Sequence, residues 1–317
     1  MARQELGPHA LRVGQAVARV LDGLAGEVIV GCSGGPDSLA LALAAAWAAP
    51  KARMTARVVI VDHGLQPESG TVADSVAGIL AARDIAAEVR RVCVDPFAAG
   101  LEAGARDARL AALAQDGLPV LLGHTLDDQA ETVLLGLLRG SGTRSLAGMA
   151  ERRGPFIRPL LGLRRADTEA ACREWGVETW IDPHNAEPRF ARVRARSHLA
   201  ELSDAFGRDV APALARTAAL ARIDADFLDR LADDALRDAE EGDALEVRRL
   251  AALDDALRLR AIKAWLAKAG AGEATMTHVL AVDALIGHWR GQGPVPVPGA
   301  SVRRNDGRLE IVASTRL

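Results

Sequence analysis

The fold predicted is α/β: a parallel sheet with helices on both faces, followed by a smaller, mainly helical C-terminal domain. Two observations carry this. Over the first 125 residues, short β-rich apolar runs alternate with amphipathic helical stretches, a rhythm that joins parallel strands by right-handed crossovers. Beyond about residue 200 the strand runs disappear, and helices rich in Ala, Leu, Arg and Asp dominate. The expected organisation is a first domain at 1–205, an acidic helical linker at 206–245 and a C-terminal domain at 246–317.

In chain order, residues 27–31 (EVIVG) read as a buried strand and residues 39–47 as a helix. Residues 56–61 (ARVVIV) form the second strand, 72–82 a helix, 87–94 the third strand and 101–114 a helix. Residues 119–123 (PVLLG) are the fourth strand, and 126–138 are helical again. Residues 140–159 are rich in Gly, Arg and Pro and read as a loop. A helix is expected near 166–175 and an irregular stretch around Asp182-Pro183-His184-Asn185. Helices are then expected at 209–237, 254–269 and 276–289, with a small hairpin within 293–312.

Composition narrows the function. No apolar run approaches the roughly 20 residues that span a membrane, and residues 1–7 lack a basic-then-apolar signal pattern, so a cytoplasmic protein is expected. The three cysteines, Cys32, Cys93 and Cys172, are far apart and form no C-x-x-C pair. A disulfide framework, a zinc site and an iron–sulfur site are therefore disfavoured, and buried free thiols are expected. The formal net charge is −3, but it is unevenly spread. Residues 144–196 hold 11 arginines against 7 acidic residues, and residues 257–317 hold 9 basic against 4 acidic. Between them, residues 201–256 hold 7 arginines against 15 acidic. Only three lysines occur, so the cations are mostly guanidinium groups suited to bidentate phosphate contacts.

The strongest local signal is Cys32-Ser33-Gly34-Gly35-Pro36-Asp37-Ser38, between the first strand and its helix. Gly34 and Gly35 let the backbone turn and bring amides to an anion, Ser33 and Ser38 add hydroxyls, and the helix adds its positive end. Asp37 suits a phosphate only through a metal ion, which suggests Mg²⁺. Neither a Walker A loop nor a G-x-G-x-x-G dinucleotide loop is present here.

Asp62-His63 and Gly123-His124 follow the second and fourth strands, so they should converge with this loop at the strand C-termini. Glu102, Arg106 and Arg109 are spaced to share a helix face; one or both arginines could stabilise charge on an α-phosphate, or Arg106 could form a surface ion pair with Glu102. His124, Asp127, Asp128 and Glu131 cluster at a helix start. They could be caps, or hold a metal ion or an ammonium group.

S-G-G-x-D-S is the signature of the PP-loop ATP pyrophosphatases, and this chain resembles them. The resemblance implies a PP-loop adenine nucleotide hydrolase-like fold in which the loop holds the pyrophosphate of ATP while an acceptor oxygen attacks the α-phosphate. Further segments resemble the tRNA(Ile)-lysidine synthetases: Val61-Asp62-His63-Gly64-Leu65, Glu102 to Arg109, Gly123 to Thr132 with the run to Gly142, and Asp182-Pro183-His184-Asn185 with Phe190, Arg192 and Arg196. Two departures stand out: Leu110 where relatives often carry an aromatic, and Asp62 where they commonly carry Asn.

The family resemblance implies an ATP- and Mg²⁺-dependent carbon–nitrogen ligase that joins L-lysine to the wobble cytidine of an isoleucine tRNA with a CAU anticodon. It implies that Ser33, Gly34, Gly35, Pro36, Asp37 and Ser38 hold pyrophosphate and metal, with Asp62, His63 and Gly123 lining the nucleotide site. Asp37, Arg106, Arg109, His124 and Asp128 are the expected catalytic residues, and Asp37 and Asp128 the expected metal ligands. Residues 144–196 and the C-terminal domain would grip the tRNA, no membrane is involved, and a homodimer is a candidate assembly. Two other readings remain: a tRNA-thiolating relative, which would want spaced cysteines, and a nucleotide-binding sensor without chemistry, which would have lost the 124–128 cluster.

Overall fold

A computed structural model describes residues 6–64, 69–92, 101–140, 142–179, 190–271 and 274–313. The chain divides into two compact units, Met1–Ala219 and Leu220–Leu317.

The first unit is built on a six-stranded sheet of order β3-β2-β1-β4-β6-β5. Its strands are β1 (Glu27–Gly31), β2 (Thr55–Asp62), β3 (Ala87–Arg91), β4 (Val120–Leu121), β5 (Arg152–Arg153) and β6 (Phe156–Ile157). All neighbours pair in parallel except β5 with β6. The chain moves outward from β1 to β3, then returns to β4 on the other side of β1. That reversal opens a crevice at the C-terminal ends of β1 and β4, where open α/β sheets bind ligands.

Helix α1 (Pro8–Leu21), α2 (Pro36–Ala48) and α7 (Arg165–Glu174) pack against one another, while α3 (Ser69–Ala81) packs on β2 and β3. Nine residues of α2 are buried, from Ser38 to Ala48. Its run of alanine between leucines lets a helix covered on several sides pack closely without a polar face. Glu174 of α7 caps α1: its carboxylate accepts the Ala10 amide at 2.7 Å and the His9 amide at 3.3 Å. Asp167, also on α7, accepts Arg12 at 2.8 Å and pairs with His9 Nδ1 at 3.0 Å. α7 is thereby fixed beside α2, which aims its N-terminus at the strand ends.

Helix α4 (Leu101–Ala114) precedes β4, and α5 (Leu126–Leu138) follows it; both match the helices expected. Residues 140–159, expected as loop, contain α6 (Thr143–Leu146) and the β5–β6 hairpin, whose strands are too short for an apolar alternation to show. α8 (Ala191–Ala205), also unforeseen, lays Ala195 and Leu199 on Ala130 and Leu134 of α5. The segment Asp182-Pro183-His184-Asn185 lies outside the described residues.

α9 (Ala211–Ala239) begins in the first unit, and its residues from Leu220 onward belong to the second. The second unit adds α10 (Val247–Ala251), α11 (Asp255–Lys268) and α12 (Met276–Gly287) to an antiparallel sheet of order β7-β8-β11-β10-β9. Its core is formed by Leu245, Leu250, Ile262, Trp265, Leu266, Val279, Leu285, Val302 and Leu309, among others. The hairpin read within 293–312 is β10 (Ala300–Asn305) with β11 (Arg308–Ala313). β9 (Val295–Val297) extends it at one edge; β7 (Glu240–Glu241) and β8 (Ala244–Glu246) extend it at the other. Residues 240–245, read as the end of a helical linker, therefore hold β7 and the start of β8: Leu245 is buried against Leu309, and tertiary pairing overrides the acidic local sequence. Among the described residues no helix is long and apolar enough to cross a membrane.

Glu174 supplies α1 with its N-terminal acceptor, so Glu174→Ala is expected to destabilise the first unit by about 1–2 kcal/mol. Denaturant unfolding measures this; an unchanged midpoint would mean that water satisfies those amides equally well.

Candidate nucleotide site and its acidic cluster

The loop after β1 is held by its own side chains. Gly34 has φ +88°, and a Cβ there would lie 2.4 Å from Val76 Cγ2, so both backbone conformation and space demand glycine. The Ser38 hydroxyl donates to the Gly35 carbonyl at 2.9 Å and accepts the Ser33 amide at 3.1 Å, with Ser33 Oγ 3.3 Å away. Ser38 thus braces the loop. Gly35 is the N-cap of α2 and Pro36 its first residue; no side chain caps the helix, which leaves its positive end available to an anion. Gly123, after β4, lies so near that a Cβ would sit 2.9 Å from the Asp37 carbonyl oxygen and 3.1 Å from the Ser38 nitrogen. Only glycine permits the two strand ends to approach this closely.

Behind the loop is a cluster of carboxylates held by arginines. Asp37 accepts a hydrogen bond from Thr168 Oγ1, and its Oδ2 lies 3.3 Å from Arg165 Nε. Asp128 uses Oδ2 to cap α5, accepting the Thr125 amide and hydroxyl at 2.8 Å each, while Oδ1 takes Arg165 at 2.8 Å. Glu131, buried, receives Arg196 Nε at 2.8 Å and Arg165 at 3.4 Å on Oε1; its Oε2 is buried without a partner. Asp127 accepts Arg164 at 2.8 Å and the Arg165 amide at 2.7 Å. Burial pushes Asp37 up to about 6, against Thr168 and Arg165, with Asp128 adding repulsion. Asp127 is opposed by burial too, but hydrogen bonds from Arg164 and Arg165 hold it below the usual range. A cavity of about 170 Å³ opens beside the cluster, lined by Asp127, Glu131, Arg164, Arg196, Ser203 and Asp209 among others.

A second group lies on the other side of His124. His63 Nδ1, Arg109 Nε and His124 Nδ1 are buried and have no hydrogen-bond partner. Burial drives His124 down to about 3, against Asp128, with Arg158, Arg109 and Arg192 adding to the effect. His63 is lowered by burial and by Arg109. Arg109 itself is lowered by burial, then by Arg106 and Arg192. Both imidazoles are therefore neutral at pH 7, and the group holding the three unpartnered atoms lies close to the guanidinium groups of Arg158 and Arg192. Asp62 is occupied otherwise: Ser69 and the Gly64 amide, the latter at 3.0 Å, hold its carboxylate below the usual range. Arg106 is exposed on α4, and the Glu102 side chain lies outside the description. Cys32 and Cys172 are buried free thiols, and burial pushes Cys172 up to about 12; Cys93 is outside the described residues.

The structure thus brings Ser33, Gly34, Gly35, Pro36, Asp37, Ser38, Gly123 and Asp128 around one loop, with His63, Arg109 and His124 alongside. Asp62 adjoins His63 with its carboxylate engaged by Ser69 and Gly64, and Arg106 is exposed on α4 near Arg109. The sequence reading missed Arg164, Arg165 and Thr168. One signal was present: two arginines open α7, where the helix dipole disfavours cations. Such a placement implies anions close by in space.

The raised value of Asp37 also has a stability consequence. The fold favours the protonated carboxyl, so this contribution is fully present below the ordinary value of 3.8 and is lost as pH rises through about 6. Asp37→Asn should therefore raise the unfolding free energy at pH 8, by no more than about 3 kcal/mol, with the gap closing near pH 4. A variant less stable than the wild type at pH 8 would contradict this.

Comparison with known proteins adds independent findings. A model described as PP-loop domain matches residues 12–202, and one described as TilS substrate binding domain matches residues 245–310. A tRNA(Ile)-lysidine synthase of Mycolicibacterium paratuberculosis is 52% identical over 292 residues, covering 89% of each chain. One of Cutibacterium acnes is 48% identical over 315 residues, covering 98% of this chain and 99% of that one. Among solved structures, the U34-tRNA thiolase NcsA from Methanococcus maripaludis, with its 4Fe-4S cluster, aligns with TM-score 0.55 at 16% identity. The alignment covers 66% of this chain and 78% of that one, a likeness of fold alone. With half its length matched by the PP-loop model and near-full-length relatives about 50% identical, the chain belongs to the tRNA(Ile)-lysidine synthase family.

Proposed function

We propose that this protein uses ATP to join L-lysine to C2 of the wobble cytidine of an isoleucine tRNA with a CAU anticodon, releasing AMP and pyrophosphate. The observation that carries the reading is the pairing of an uncapped phosphate loop with an acidic cluster one positive charge short. Asp37, Asp128 and Glu131 face Arg165 and Arg196, and Glu131 Oε2 has no donor. The loop accounts for a triphosphate; the vacant carboxylate oxygen beside a cavity accounts for an ammonium group.

In the first step the cytidine O2 attacks the α-phosphorus and the bond to pyrophosphate breaks. The α2 amides and the loop orient the leaving pyrophosphate, and Arg109, with its unpartnered Nε, meets the charge that develops on the α-phosphate. In the second, the lysine ε-amine attacks C2, the C2–O bond breaks, and AMP departs with that oxygen. The amine must shed a proton; His124, with a buried Nδ1 that has no partner, is placed to relay it to the phosphate of the departing AMP, since burial keeps the imidazolium too unfavourable to retain it. The α-ammonium is held by Glu131, whose Oε2 has no other donor. Asp37 and Asp128 are the carboxylates that would hold Mg²⁺, which supplies Lewis-acid stabilisation of the phosphates. The donor set suits it: Mg²⁺ needs one or two carboxylates beside phosphates, and Asp37 is a desolvated carboxylate at the loop itself.

Basic residues in 144–196 and 257–317 support tRNA binding, and in the second unit Arg304 lies over the Trp289 ring at 5.4 Å. Exposed Leu220, Ile223, Phe227 and Leu231 form an apolar stripe on α9 that supports a homodimer. We place the enzyme in the cytoplasm, where its tRNA is.

Purified protein, ATP and an isoleucine tRNA transcript are expected to incorporate labelled lysine. Asp128→Asn should abolish this or raise the lysine requirement while ATP still binds. Wild-type lysine dependence in that variant would reduce Asp128 to a helix cap. tRNA affinity should fall steeply with salt, as phosphate contacts release counterions; a flat response between 50 and about 200 mM would rule out the assigned basic surfaces.

A further inference from the structure

Arg165 is absent from every role assigned so far, yet it is the most connected side chain of the site. Its Nε faces Asp37 at 3.3 Å, its Nη2 faces Asp128 at 2.8 Å, and its Nη1 faces Glu131 at 3.4 Å. One guanidinium therefore ties the phosphate loop, through Asp37 on α2, to two carboxylates of α5, Asp128 and the cavity-lining Glu131. Its backbone amide is anchored independently on Asp127, and Thr168 Oγ1 lies 2.7 Å from its carbonyl oxygen. Thr168 in turn bonds the other oxygen of Asp37.

We infer that Arg165 is a positioning residue that makes nucleotide binding and amino-acid binding cooperative. The inference rests on the proposed lysine reading. When Asp37 turns to a metal ion on the triphosphate, Arg165 Nε loses its acceptor and gains a free N–H. The Nη1 of the same guanidinium lies 3.4 Å from Glu131 Oε1, on the carboxylate whose Oε2 is buried without a partner. An α-amino acid carries its ammonium and carboxylate on one carbon, so a vacant acceptor next to a vacant donor fits both. Without the nucleotide the donor is occupied by Asp37, and only the acceptor is open. Lysine should therefore bind more tightly once the nucleotide is in place, and by linkage the nucleotide should bind more tightly with lysine.

The test is calorimetric titration of L-lysine into the full chain, alone and saturated with Mg²⁺ and α,β-methylene ATP, whose α–β linkage cannot be cleaved. In the wild type, the analogue should tighten lysine binding by about fivefold or more, the lower end of usual couplings. Arg165→Met, which keeps the aliphatic volume, should bind lysine with the same weakened affinity in both states. Asp37→Asn should bind lysine without the analogue more tightly than wild type does, because Arg165 Nε then faces a neutral group. It also serves if Arg165→Met fails to fold. Equal lysine affinity in both wild-type states, or coupling that survives in Arg165→Met, would overturn the inference while leaving the lysine reading intact. A wild type that binds no lysine in either state would overturn both.

Discussion

A site that must receive a triphosphate keeps three carboxylates, Asp37, Asp128 and Glu131, at the same end of the sheet. Asp37 belongs to the phosphate loop itself, and burial lifts it to about 6. Charge of one sign in a poorly solvated space must be compensated nearby, since desolvation is not repaid by water. The compensation comes from Arg165 at the start of α7 and Arg196 on α8. Much of the first unit holds those two guanidinium groups in place. α7 is tied to α1 through Glu174 and Asp167, and α8 is seated on α5 by Ala195 and Leu199.

This arrangement also constrains the chemistry. A loop backed by carboxylates repels an anionic nucleophile but accepts a neutral one, such as a cytidine carbonyl oxygen. In the proposed reaction, the anionic charge that develops during attack would be met by Arg109, near His63 and His124. There the imidazoles are neutral, and their vacant nitrogens can accept or donate without adding net charge.

The legible and illegible parts of the sequence divide along physical lines. The phosphate loop was readable because glycines, serines and an aspartate at a strand-to-helix junction have few other uses, and Gly34 shows why: no other residue fits its φ or the space beside Val76. Helices α4 and α5 were readable from their periodicity. Arg165 was not, because its partners lie 128, 37 and 34 positions away and no local pattern reports them. β7 and β8 were missed because strands of two or three residues carry no periodic signal, and Pro296 in β9 is tolerated only because that strand lies at a sheet edge. Of the readings left open for Asp128, the structure shows the cap of α5; its other oxygen is on Arg165, a partner no local pattern suggested.

The central claim is that the adenylyl group goes to the carbonyl oxygen of the wobble cytidine. Isotope tracing tests it most directly: a tRNA carrying ¹⁸O only at that carbonyl is turned over with ATP and lysine, and the products are weighed by mass spectrometry. The account predicts one ¹⁸O in AMP and none in pyrophosphate. Unlabelled AMP beside modified tRNA would contradict it, because the oxygen would then have left by a route that does not pass through the α-phosphate.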